Sequence, residues 1–325
     1  MIKDFFKTLV SNRKSLTGLC MLGFFILVAL FAPLLAPYNP KTDKSVVTAL
    51  VAETPGDEEI VSEETPSENE EVTRYKVSTT REYEKRVRYF PLRAKPSAAH
   101  PLGTNHAGND LFSQLIMGIR VSLTVGLATG LFVTLVSLTL ALVSGYLGGI
   151  VDDVVSFFTN IFLVLPGLPL MIVIAAYVTI RGVMPIVLIL GLTGWPWPTR
   201  LLRAQVLSLK NRDFVRVARS LGESAPVVVF REILPNMISI AMAEFFAISM
   251  AAIMGEATLE FIGLGNVTVV SWGTILFWAQ ANGALLAGSW WWFLPPGLCI
   301  ALLGTSFVLI NFGIDEISNP RLRKR

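Results

Sequence analysis

VSLTVGLATGLFVTLVSLTLALVSGYL, residues Val121–Leu147, runs for 27 positions without an Asp, Glu, Lys or Arg. About 20 apolar residues carry a helix across roughly 30 Å of hydrocarbon, so this stretch is long enough to span a bilayer. The rest of the chain has the same character. Apolar residues make up 53% of the 325, charged residues only 16%, and the mean hydropathy is +0.59. A soluble domain carries about 25% charge. The chain therefore reads as an integral membrane protein, and a soluble enzyme and a disordered polymer are both excluded.

Working outward, the first apolar run is Leu16–Ala36, preceded by Lys3, Lys7, Arg13 and Lys14. It imitates a signal peptide, but it is too long and lacks a small-residue cleavage pattern, so it is expected to be an uncleaved first span ending at Pro33 and Pro37. Beyond the second span at Val121–Leu147, a third is expected at Val154–Tyr177. A fourth runs over Pro185–Trp197 towards Leu202, a fifth over Met237–Leu259 and a sixth over Trp292–Phe312. Pro166, Pro169, Pro196 and Pro198 interrupt the third and fourth, which neighbouring helices in a bundle can accommodate. The expected fold is all-α, with six transmembrane helices. Its parts are residues 1–37 (N-terminus and first span), 38–110 (an insert), 111–312 (a five-helix core that includes segment 211–235) and 313–325 (a tail).

Charge orients the spans. Met1–Ser15, Thr199–Asn236 and the tail after Asp315 hold fifteen Lys/Arg, whereas the short opposite connections offer only Arg120 and Arg181. Basic short loops stay inside, so both termini are expected in the cytoplasm. All seven tryptophans are expected as interface anchors, with Trp195 and Trp197 near the inner face and Trp272, Trp278 and Trp290–Trp292 outside. The insert Tyr38–Asp110 is acidic overall, with ten Lys/Arg against thirteen Asp/Glu. Glu53–Glu71 holds nine acids and no base and reads as a flexible acidic strand of chain. Arg74–Lys95 holds eight bases, with β-prone alternation at Tyr75, Val77, Val87 and Tyr89 that suggests a small hairpin. The insert is either a solvated excursion or a docking surface for an extracytoplasmic partner.

A search for chemistry returns little. No Gly precedes a Lys, so a phosphate-binding GK[ST] loop is absent, as are HExxH and any Cys pair at metal spacing. His100 and His106 are the only histidines and, beside Pro101, Gly103 and Gly108, read as turn residues. Cys20 and Cys299 lie in apolar runs and read as packing residues. Such a chain either moves something passively or takes its energy from another protein.

The informative segment is Asn211–Pro235. Asp213 can cap a helix whose Phe214, Val217, Ala218 and Leu221 form an i, i+3, i+4, i+7 stripe, and Gly222 supplies the left-handed residue that ends it. Ser224 can cap a second helix, with Pro226 in its first turn and Pro235 as its stop. Arg212, Arg216, Arg219, Glu223 and Arg231 line the polar sides. This helix–turn–helix could lie on lipid or fit a groove in a partner.

Phe214-Val-Arg-Val-Ala-Arg-Ser-Leu-Gly222, with Phe230-Arg-Glu-Ile-Leu-Pro-Asn236, resembles the "EAA" signature of permease subunits of binding-protein-dependent ABC importers. His100-Pro-Leu-Gly-Thr-Asn105, Gly108-Asn-Asp110, Arg120-Val-Ser-Leu, Gly145-Tyr-Leu-Gly-Gly149, Gly255–Gly265, Trp272-Gly273 and Asn319-Pro-Arg-Leu322 are similar to the dipeptide/oligopeptide/nickel group of that family, specifically its C-type subunit. The resemblance covers nearly all of the chain except about residues 46–95. Three features depart from the pattern. Arg216 stands for the signature Glu and Val217 for its first Ala, Asn105 stands where the family usually has Asp, and the insert has no counterpart.

The resemblance implies a type I ABC importer-like fold and half of a peptide-translocating pore in a cell (inner) membrane. The partners it implies are a homologous second permease, two ATP-binding subunits that bring ATP and Mg, and an extracytoplasmic solute-binding protein. No cofactor and no catalytic residue is expected on this chain. Phe214, Arg216, Ala218, Arg219, Leu221, Gly222, Glu223 and Ser224 would couple it to an ATPase. Glu244, Glu256 and Glu260 are costly in a span, by roughly 2.5–3.5 kcal/mol each on insertion scales. Glu256 and Glu260 share a face and either line the substrate path or act as structural hydrogen-bonders. Nickel or its chelates are an alternative cargo. A self-sufficient carrier or channel is the reading from another class, and a membrane-embedded enzyme is a weaker third.

Overall fold

A computed structural model describes residues 10, 12–41, 44–52, 70–77, 81–178, 180 and 182–318. The acidic stretch expected at Glu53–Glu71 falls almost wholly outside the described residues, as do Lys3, Lys7 and Asn319–Leu322. In chain order the elements are α1 (Arg13–Leu35), β1 (Lys44–Ala52), β2 (Glu70–Val77), β3 (Arg81–Tyr89), α2 (Leu111–Leu147), α3 (Gly149–Val164), α4 (Gly167–Tyr177), α5 (Val183–Gly194), α6 (Pro196–Lys210), α7 (Asp213–Ser220), α8 (Ala225–Phe261), α9 (Trp272–Ala281) and α10 (Trp290–Ser318).

Four helices, α1, α2, α8 and α10, are each long and apolar enough to cross a membrane. The expected third span is a broken one. It divides into α3 and α4, bent by 93° across Leu165 and Pro166. Pro166 and Pro169 bring no N–H to a continuing helix, and the residue before a proline is pushed to extended geometry; Leu165 accordingly has ψ 131°. The fourth span is the shorter α5, which passes at Trp195 into α6 and reaches Lys210 rather than Leu202. At that break the Trp195 carbonyl accepts from Ser137 Oγ of α2 at 3.0 Å and from Thr199 Oγ1 at 2.7 Å. The first span continues through Pro33 to Leu35, after a start capped by Asn12 Oδ1 on the N–H groups of Lys14 and Ser15. The insert contributes more than a hairpin: β2 and β3 pair antiparallel, β1 joins β3, and the sheet order is β1-β3-β2.

α2 and α8 form the axis of the bundle, and small residues bring them together. A Cβ placed on Gly130 of α2 would fall 2.1 Å from Ser249 Oγ of α8, and one on Gly126 would fall 2.4 Å from Ile253 Cγ1. Lipid tails are as apolar as leucine, so close backbone approach and van der Waals contact hold such helices together. One apolar core joins α1, α2, α8, α9 and α10 through Phe25, Leu123, Ile253, Trp272 and Phe307. A second lies among α2, α4, α5 and α8, around Val125, Ala175 and Leu190. A third joins the Leu147 end of α2 to α6, α7 and the start of α8, around Leu142, Val206, Val215 and Met237. Trp272 and Trp292 sit in the protein core rather than at a membrane interface, which corrects the expectation that all seven tryptophans are anchors. Trp272 is spent inside the bundle: its Nε1 donates to the Leu115 carbonyl at 3.0 Å, and its ring meets the edge of Phe25.

Candidate functional site: a rigid elbow and a transmembrane cavity

The segment Asn211–Pro235 forms α7, a turn and the first part of α8. Asp213 is the first helical residue of α7 and Arg212 is its cap, so the expected Asp213 cap is displaced by one position. The C-terminal end is a complete Schellman closure. Gly222 has φ 83°, its N–H donates to the Arg219 carbonyl at 3.0 Å, and the Glu223 N–H donates to Ala218 at 3.2 Å. Ser224 caps α8 with its backbone only, and Pro226 lies in the first turn. The expected stop at Pro235 does not occur. A π-helical turn, Val228–Ile233, precedes Pro235, and the Leu234 N–H donates to Val229. That extra residue re-routes the carbonyls that the proline ring would otherwise strike, so α8 runs unbroken to Phe261.

Burial divides α7 differently from the sequence stripe. Val215 and Ala218 are the buried residues, packed in the core with Val206, Ile233 and Met237. Phe214 and Val217 are exposed, Leu221 is 78% exposed, and on the adjoining turns of α8 Phe230 is 66% exposed. The apolar stripe is thus mostly an open face, with Ala218 alone turned inward. Arg216 pairs with Asp213 on the exposed side, so the charge that replaces the signature Glu is met locally. Arg219 lies over the Tyr146 ring at 4.8 Å, and Lys210 Nζ approaches the same ring at 5.7 Å. These stacks tie α7 to the end of α2. Glu223 is half-buried and its Oε2 has no hydrogen-bond partner, while Ser224 is exposed. Arg203 of α6 forks onto Asp152 of α3, which ties the two helices together.

The three acids of α8 have separate surroundings. Glu256 and Glu260 are 0% and 1% exposed. Glu256 Oε2 accepts from Ser122 Oγ of α2 at 3.2 Å, and Glu260 accepts from Ser271 Oγ, the N-cap of α9. The other carboxyl oxygen of Glu256, Oε1, is buried without a hydrogen-bond partner. Gly273 admits the pair closely: a Cβ there would fall 2.8 Å from Ala257 Cα and 2.9 Å from Glu260 Cβ. These two acids lie against α2 and α9 and take no part in the cavity that Glu244 lines, which favours the structural reading of their shared face.

Glu244 is different. It is half-buried and lines a cavity of about 340 Å³ walled by α2, α4, α5, α6 and α8. The walls are mostly apolar, with Leu190, Trp197 and Ile248 among them, and two threonines, Thr129 and Thr193, contribute hydroxyls. Of the three acids named from the sequence, only Glu244 reaches this cavity. Its other walls were not legible, because residues from five helices meet there and no spacing in the chain announces it.

The histidines hold turns. His100 Nδ1 lies 2.9 Å from Asp110 Oδ1, and Asp110 Oδ2 accepts from the Ser113 N–H and hydroxyl as the cap of α2. His106 stacks on Trp278 and Trp292 at 5.0 and 5.7 Å. Burial, reinforced by the charge of Arg93, holds its imidazole below the usual histidine range. Asn105 Oδ1 accepts from the Ala107 and Asn109 N–H groups at 2.9 Å each, an acceptor role that Asn fills as well as Asp. Among the described residues no three His, Cys, Asp or Glu side chains gather as a metal site.

Known proteins place the architecture. Residues 110–324 match the family described as binding-protein-dependent transport system inner membrane component, and residues 1–51 match the N-terminal TM domain of oligopeptide transport permease C. The chain is 28% identical over 324 residues to the oligopeptide transport system permease protein OppC of Bacillus subtilis, covering 99% of this chain and 90% of that one. It is 32% identical over 235 residues to the dipeptide transport system permease protein DppC of the same organism, covering 70% and 71%. It is 31% identical over 237 residues to the glutathione transport system permease protein GsiD of Pectobacterium atrosepticum, covering 72% and 77%. With its several apolar spans and the exposed elbow between α6 and α8, the chain is a multi-pass membrane protein that belongs to the family of binding-protein-dependent transport system membrane components.

Proposed function

We propose that this permease subunit forms half of the translocation pore of an ATP-driven peptide importer. Its partner in the pore would be a homologous second permease. Two ATP-binding subunits, carrying ATP and Mg, would dock from the cytoplasm, and a solute-binding protein would deliver peptide from the other side. Both termini and the α7 elbow would face the cytoplasm, in accord with the basic residues of Thr199–Asn236. Relatives named for oligopeptides, dipeptides and glutathione support peptides as the cargo.

The observation that carries the reading is the elbow. A span that only anchored the chain would have no use for an exposed apolar face at Phe214, Val217, Leu221 and Phe230 in the elbow between α6 and α8. Such a face fits a groove on another protein. Gly222 is locked by two hydrogen bonds, and α8 continues without a stop through Pro235, so a displacement of α7 is passed to the Glu244 region as a rigid-body motion. A self-sufficient carrier would leave this face without a purpose.

The test is Gly222→Val in the assembled complex. A branched residue at φ 83° is strained, and the turn must open. ATP hydrolysis is expected to persist while peptide uptake falls by at least about tenfold, the loss that follows a barrier increase of roughly 1.4 kcal/mol. Unchanged uptake would remove the lever.

A further inference from the structure

The cavity beside Glu244 contains an acid without a counter-charge. No hydrogen bond or ion pair reaches Glu244 among the described residues, although it lies within the span α8. An ionisable side chain in such a place marks a solute or ion path, because its cost must be offset by something that visits it. A second, independent observation lies across the cavity. Thr129 of α2 is 1% exposed and lines the same space, and its Oγ1 has no partner. Thr134 of α2 is unpartnered as well but does not line this cavity, whereas Thr124 and Thr139 donate to the carbonyl four residues back, and Thr193 does so within the cavity wall. Thr129 does not. The exposed indole of Trp197 forms part of the rim, and an aromatic face attracts cations.

We propose that this cavity is a transit subsite for an ammonium group of the translocated solute, with Glu244 as its counter-charge and the Thr129 hydroxyl as a further acceptor. The proposal rests on the reading of the chain as half a pore, and it deepens that reading by naming the part of the solute that is recognised here. The remaining walls are apolar, so the subsite offers one charge and little else to the rest of the solute. That suits a passage: a carrier path must bind well enough to admit the solute and weakly enough to release it. A free peptide amino terminus and a lysine-like side chain share the required chemistry.

The experiment places a thiol in the cavity by Ala251→Cys, at an exposed lining position of α8, in a chain carrying Cys20→Ser and Cys299→Ser. The full complex is reconstituted in liposomes. The rates of modification by a small trimethylammonium thiol reagent and by its sulfonate counterpart are then compared. The cationic reagent should react faster, and adding Glu244→Gln should reduce the ratio of the two rates by about tenfold, the lower end of the range for field focusing in a cleft. A dipeptide with a free amino terminus should slow the cationic reagent, and its N-acetylated form should not. A ratio indifferent to Glu244→Gln would overturn the proposal. So would equal protection by both peptides, or a thiol that neither reagent reaches because a neighbouring subunit covers the cavity. If Glu244→Gln reduces the ratio while neither peptide protects, the cationic subsite stands and the assignment of peptide as cargo fails.

Discussion

The two ends of α8 are built on opposite terms. At the Phe261 end, Glu256 and Glu260 are sealed against α2 and α9, each accepting from a serine, with glycine at Gly273 so that nothing stands between the elements. At the Ala225 end, Phe230 lies open, α7 presents Phe214 and Leu221 outward, and Glu223 keeps an unpartnered oxygen. One end buries its acids against serines of the chain, with only Glu256 Oε1 left unpartnered, and the other leaves apolar surface for something else to cover. Between them Glu244 belongs to neither pattern, since it is acidic like the first and uncovered like the second. A stiff helix sealed within the chain at one end and, beyond its core at Val228, Ile233 and Met237, open to a partner at the other is what a lever requires.

The sharpest way to break the contrast is to unseal the fixed end. Glu260→Ala removes the acceptor of Ser271 Oγ and the neighbour of Glu256 in a site without water access. Leaving a buried polar group unpaired costs about 1–3 kcal/mol, and thermal unfolding of the purified chain in detergent should register the loss. Glu260→Gln keeps the volume and, in its amide oxygen, an acceptor for Ser271 Oγ, so it should unfold much closer to the parent. If the alanine and glutamine variants fall equally, the hydrogen-bonded pair is not what holds α9 to α8.

The free end should respond in the opposite manner. Leu221→Asp changes a side chain that is 78% exposed. Thermal stability should stay within about 0.5 kcal/mol of the parent. Retention of the ATP-binding subunits on the purified complex should fall by about tenfold, a typical loss when an interface anchor worth more than about 1 kcal/mol is removed. A variant that keeps its ATPase but loses thermal stability would reverse the assignment of the two ends.

The sequence announced these two ends unequally. The membrane class, the long spans and the Gly222 turn were legible because each rests on local chemistry: apolar runs, proline, and a residue able to take positive φ. The continuity of α8 through Pro235 was not. A proline ordinarily ends a helix, and only the π turn at Val228–Ile233, a three-dimensional adjustment, shows why this one does not. The break between α3 and α4 was legible as two prolines but not as a 93° bend. The face of α7 was legible only in part, for a related reason. Periodicity finds a stripe, but whether that stripe faces the bundle or the outside depends on where Val215 meets Met237 and Ile233. The three acids of α8 were visible as costly residues, yet their division into a sealed pair and a cavity acid depends on α2, α4, α5, α6 and α9, which are distant in the chain.

The smallest expected effect also belongs to the fixed end, where α9 and α10 clamp His106 between Trp278 and Trp292. Burial and, secondarily, Arg93 lower the pKa of this histidine, so the folded chain prefers it neutral. The unfolded chain takes up its proton near the model-peptide value of about 6.5, and the folded chain does so only at lower pH. Between those two points the unfolded state binds more protons, so stability is full above the unfolded value and is lost as the pH falls towards the folded one. Thermal unfolding should therefore show a slight acid-side decline beginning near neutrality, and His106→Phe, which keeps a stacking ring without a titrating nitrogen, should remove that component. Leu221→Asp should leave it unchanged, because the free end has no part in it. A decline of the same size in the phenylalanine variant would mean that the clamp is indifferent to the charge it encloses.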